Sequence, residues 1–212
     1  MYTSSWVYYI TDVWTSGSKY LIVSRGYDKA GNVKISDEYV FYLKKDTEPP
    51  TIVDNQQGDD TWYADVPTAG YDVDFVDDKC KLKYAEYCVY SSTGMTGTEL
   101  VSWTTIFWNL NSATYTSDFT LSSAQFAQLQ SGYNYVSVRV FDNAGLTCTV
   151  TDVFYIKKDT EVPQVVDNQP GDDTWRTSPG TTYDVDFIDL VSNLATAYYT
   201  VYPSTGMQGV PI

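Results

Sequence analysis

A chain of 212 residues with a formal net charge of −14 has room for one or two domains, and its acidity argues against a nucleic-acid backbone as partner. Hydrophobic residues make up 43% and aromatic residues 16%, which excludes a disordered chain, and the absence of histidine removes His-based triads and most zinc sites. No apolar run reaches the ~18 residues of a membrane helix, so no membrane insertion is expected, and residues 1–14 lack the basic start and apolar stretch of a signal peptide.

From the N-terminus, "YDKAGN" at 27–32 reads as a tight hairpin turn and "VFYLKKD" at 40–46 as the strand that follows it. "KKDTEPP" at 44–50 is a linker in which Pro49 and Pro50 hold the chain extended. Lys44 and Lys45 read there as loose surface partners of nearby acids. Strands are then expected near 51–54, 60–64, 70–76, 82–90, 100–107, 114–121, 133–141 and 147–156, with a helical turn at 122–129. The period is two: Tyr71, Val73 and Phe75 share one face, as do Ala85, Tyr87 and Val89, and Val136, Val138 and Val140. Phe126 and Leu129 should enter the core from the helical turn, and Trp62 should close over the first strand. Short strands separated by Gly, Asp, Asn and Pro turns describe an all-β antiparallel sandwich.

The phrases recur. "DNQQGDDTW" at 54–62 returns as "DNQPGDDTW" at 167–175, "YDVDFVD" at 71–77 as "YDVDFID" at 183–189, and "KKDTEPP" as "KKDTEVP" at 157–163. "YDKAGN" anticipates "FDNAGL" at 141–146. A repeat of about 113 residues divides the chain into 1–46, the C-terminal part of one copy; 47–158, a complete copy; and 159–212, the N-terminal part of the next. Two cut copies are expected in an excerpt of a longer polypeptide, or in a subunit whose halves complete one another in a filament.

"VSVRVFDNAGLTCTVTDVFYIKKDTEVP" and "YDKAGNVKISDEYVFYLKKDTEPP" resemble the last hairpin of bacterial Ig-like repeats and of hyalin-repeat modules, with Leu146 where the pattern has Asn. The resemblance implies tandem Ig-like sandwiches in extracellular stalks, adhesins and surface coats. It also implies that the linker, the loop after the second strand and the final hairpin turn gather at one pole. That pole would collect Asp46, Glu48, Asp77, Asp78 and Asp142, and the next one Asp159, Glu161 and Asp189. Calcium takes six to eight oxygens from such loops and is the cofactor to expect there; the bland reading is a solvated acidic pole.

Asp72 and Asp74, like Asp184 and Asp186, share a strand face in the manner of a glycosidase pair, but recurrence in each copy fits a solvent-facing surface better. No enzyme is expected. Trp103 and Trp108 in "VSWTTIFWNL" are candidates for stacking on a sugar ring, against packing in the sandwich. Cys80, Cys88 and Cys148 stand where the other copies have Ser192, Thr200 and Lys34. Cys80 and Cys148 would flank the same pole, so a disulfide, if formed, should join them; Cys80 and Cys88 are too far apart along one strand. The expected role is a structural segment of an extracellular rod, coat, adhesin stalk or filament, whose partners are neighbouring copies. The alternative is a module binding a surface glycan or protein.

Overall fold

The computed structural model describes residues 14–36, 42–56, 60–169, 175–178 and 182–211. Alternation decides which side chains go inward. In β7 (Val73–Val76), Val73 and Phe75 are buried; in β8 (Leu82–Ser92), Ala85, Tyr87 and Val89 are; in β11 (Gly132–Asp142), Val136, Val138 and Val140 are. These faces oppose one another across two sheets. One sheet has the order β10-β7-β5, with β5 at Thr51–Asp54 and β10 at Thr114–Tyr115. The other runs β6-β12-β11-β8-β9, with β6 at Trp62–Tyr63, β9 at Thr96–Trp108 and β12 at Thr147–Lys158. Among the described residues the 18 that form the core lie between Tyr71 and Ile156, within the middle copy. The described residues are therefore all-β, apart from one short helix.

That helix, α1 (Ser123–Gln128), begins in a capping box, in which the Ser122 hydroxyl accepts from the Gln125 N–H and the Gln125 side chain accepts from the Ser122 N–H. It carries Phe126 into the core, and Leu129 is buried directly after it. Two expectations need correction. The strand expected at 114–121 pairs only at Thr114 and Tyr115, with an isolated bridge between Tyr71 and Phe119. Trp62 is half-buried rather than core, because β6 pairs in parallel with the edge of β12 and turns the indole edge-on to Tyr133, ring centroids 6.0 Å apart. Its counterpart Trp175 is fully exposed.

The flanking copies repeat the pairings of the middle one. β1 (Lys19–Leu21) pairs with β4 (Tyr42–Lys44), Lys19 opposite Lys44, as Tyr133 lies opposite Lys157. β2 (Arg25–Tyr27) pairs with β3 (Val33–Ile35), Arg25 opposite Ile35, as Arg139 lies opposite Thr149. β13 (Gln164–Asp167) pairs with β14 (Val185–Ile188), Gln164 opposite Ile188, as Thr51 lies opposite Val76. Among the described residues these ribbons leave their apolar faces open: Val185 and Phe187 are 39% and 37% exposed, whereas their counterparts Val73 and Phe75 are 1% and 0%.

The repeated "DNQ" phrase acts as a clasp in both places. The Asp54 carboxylate accepts the Gln56 N–H at 2.9 Å, an Asx turn that ends β5. This aims the Asn55 amide at Asp72 (3.3 Å) and Asp74 (2.9 Å), while Gln56 Oε1 accepts the Asp72 N–H at 2.8 Å. Asn168 does the same with Asp184 (3.4 Å) and Asp186 (2.8 Å). The carboxylate pairs are thus bridged by an amide donor. Gly58, expected to let the strand break, lies outside the described residues.

Candidate functional site

At the start of the middle copy, three segments distant in sequence come together. Asp46 follows β4; Asp77 and Cys80 occupy the loop between β7 and β8; Asp142 ends β11 at the hairpin turn. One ligand atom from each of Asp46, Asp77, Cys80 and Asp142 lies within 4.8 Å of every other. Asp77 and Asp142 are buried and the other two half-buried.

Each carboxylate is held by local backbone bonds. Asp77 Oδ1 accepts the N–H groups of Lys79 (2.8 Å) and Cys80 (3.2 Å), and Asp142 Oδ1 accepts that of Leu146 (2.8 Å). Asp46 Oδ1 accepts the Ser16 hydroxyl (2.9 Å) and the Glu48 N–H (3.0 Å). Burial alone would raise the Asp46 pKa, but bonds from Cys80, the Glu48 and Thr47 backbone and Ser16 outweigh it and hold the group below the usual carboxylate range. Cys80 goes the other way: burial, then Asp46, Asp142 and Asp77, push its thiol up to about 12, so it stands as a neutral S–H 3.6 Å from Asp77 Oδ2. The Ala144 N–H, 3.2 Å from Sγ, completes its surroundings.

Of the other acids expected at this pole, Asp78 is exposed and pairs with Lys79 at 3.2 Å, and Glu48 is exposed. At the next junction Asp159 Oδ2 and Asp189 Oδ1 both accept the Ser192 N–H, at 3.2 and 3.0 Å, and Glu161 is exposed. Ser192 occupies the place of Cys80, so the linker aspartate meets the same loop twice. The Asp159 carboxylate is held below its usual range, chiefly by Ser192 and then by the Glu161 N–H.

All three cysteines are free thiols. The expected bridge between Cys80 and Cys148 does not form: Cys80 points at the carboxylates, while Cys148 lies opposite Val140 on β12 and packs against the core. The aromatic candidates also separate. The Arg139 guanidinium, paired with Glu86 at 2.7 Å, covers the Trp103 ring at 4.0 Å. Trp108 is 63% exposed and leans on Tyr84 at 4.9 Å, which in turn stacks on Phe141 at 4.3 Å. The aromatic row is therefore an exposed Trp108 on a half-buried Tyr84 and Phe141, not the two tryptophans side by side.

Lys45 is a correction as well: it is not a loose surface charge, since its Nζ donates to the Trp14 carbonyl at 2.7 Å. Its counterpart Lys158 is buried, with its Nζ on the carbonyls of Phe126, Ala127 and Leu129. A cleft of about 620 Å³ opens beside the cluster, lined by Gly17, Lys45, Asp46, Lys79, Cys80 and Asn143 among others. No family model and no curated protein matches the chain.

Proposed function

We propose that the chain is a segment of tandem Ig-like sandwiches that serves as a structural spacer in an extracellular rod, coat, adhesin stalk or filament. The observation behind this reading is the recurrence of one junction. Asp46 reaches the loop of Asp77 and Cys80, and Asp159 reaches the loop of Asp189 and Ser192, through side chains at the same places in the repeat. A linker pinned at the same point in successive copies sets a constant angle between them, as a rod requires. Neighbouring copies are then the principal partners, and no catalytic role is assigned to Asp72, Asp74, Asp184 or Asp186. Small-angle X-ray scattering of the chain tests this: an elongated particle with one preferred shape is expected, and a profile needing a broad distribution of dimensions would defeat it.

A second reading, binding of a surface glycan or protein, draws on the exposed Trp108 and the half-buried Tyr84 and Phe141 beside it. Thr196 in the next copy stands at the Tyr84 position, so the row does not recur intact there. Quenching of tryptophan fluorescence by an added glycan, lost in Trp108→Ala, would favour it.

A further inference from the structure

We propose that Asp46, Asp77 and Asp142 form a calcium site that fastens the linker after β4 to two loops of the sandwich that follows. Their mutual spacing comes first: oxygens within 4.8 Å of one another can share an ion at the 2.3–2.6 Å typical of calcium. The second observation is independent of that clustering. Asp142 has 0% exposure, and its Oδ2 is sealed from solvent with no hydrogen-bond partner. A buried carboxylate oxygen without a donor is costly, and a cation is what satisfies it. Asp46 Oδ2 is sealed from solvent likewise, beside the Cys80 thiol.

The chemistry of the set selects the ion. Three hard carboxylates with one sulfur and no histidine suit an oxygen-seeking cation better than zinc, whose structural sites draw on several Cys and His. Two of the lysines lining the nearby cleft are turned to other partners: Lys45 to the Trp14 carbonyl and Lys79 to Asp78. Waters reaching the site through the cleft would supply the remaining oxygens.

The test is calorimetric titration and thermal melting of the full chain with calcium chloride, against the same protein in EGTA. Saturable binding and a rise in melting temperature of roughly 3 °C or more at about 10 mM calcium are expected. Asp46→Asn, which keeps Oδ1 for its present donors, should weaken calcium binding at least ~10-fold without moving the melt in EGTA. Asp142→Asn should melt in EGTA at or above the parent, since one of three crowded charges is gone, and should lose the calcium response. Cys80→Ser should keep it. Absence of binding, an unaltered response in Asp46→Asn, or zinc binding tighter than calcium and abolished by Cys80→Ser would each overturn the assignment.

Discussion

Lys158 Nζ donates to the Leu129 carbonyl at 2.8 Å, so the last residue of β12 closes the C-terminal end of α1. The same ammonium reaches the carbonyls of Phe126 at 3.0 Å and Ala127 at 3.3 Å. A six-residue helix has little stability of its own, and its terminal carbonyls find here a buried positive charge. Lys158→Met keeps the aliphatic stem and removes the donors. Equilibrium urea unfolding should show a loss of roughly 2–4 kcal/mol with the slope unchanged. A loss below about 0.5 kcal/mol, the range of ordinary surface changes, would mean that water replaces the ammonium without cost.

The Asn55 clasp gives a second prediction. Asn55→Ala leaves Asp72 and Asp74 facing each other without the bridging donor and should destabilise by about 1–2 kcal/mol. Asn55→Asp should be worse, because a third carboxylate enters the pair. Adding salt should recover part of the Asp defect and little of the Ala defect, which separates charge repulsion from a lost bond. Equal salt responses would refute the electrostatic account.

Cys88 is fully buried, and burial pushes its thiol up to about 12. At pH 8 its thiolate fraction is then of order 10⁻⁴, so a thiol-specific reagent should leave it unmodified in the native protein and label it on unfolding. Mass mapping of the labelled peptides checks this; rapid native labelling of Cys88 would show that β8 opens easily.

The ion pair of Asp60 with Lys157, 3.0 Å apart, sets a pH dependence at one edge of the sheet. The Lys157 bond and charge hold the Asp60 carboxyl below its usual range, and Asp60 holds the Lys157 ammonium above its own. A depressed carboxyl contributes stability that is present above its unfolded pKa and fades as pH falls through the folded one. A raised ammonium contributes stability that is present below its unfolded pKa and fades as pH rises through the folded one. Asp60→Asn should therefore lower the melting temperature slightly between about pH 5 and 9, and match the parent near pH 2. A difference of the same size at pH 2 would show that packing, not charge, carries the effect.

The sandwich interior was legible because its signal is local. Val73 and Phe75, or Val136, Val138 and Val140, declare an inward face within a few residues of one another. The approach of Asp46, Asp77 and Asp142 was legible only through the resemblance, which supplied the ordering of loops at one pole. The role of Lys158 is not legible, because its destination lies 29 to 32 residues away on a helix end and nothing in "KKD" distinguishes a buried ammonium from a solvated one. Trp62 departs from its expected place for a related reason: an aromatic after a turn signals burial, but a two-residue edge strand offers only half of it. The disulfide expected of Cys80 fails because sequence shows the proximity of loops and not the direction of Sγ.

The triplet Lys157–Lys158–Asp159 turns its side chains three ways in succession: outward to Asp60, inward to α1, and onward to the loop of Ser192. Its length is therefore fixed even where its neighbours are free to drift. Inserting a single residue between Ile156 and Lys158 would swap the two lysines' faces and carry the linker aspartate out of step with its loop. An insertion or deletion at this point would disturb the helix cap, the sheet edge and the contact with the Ser192 loop together.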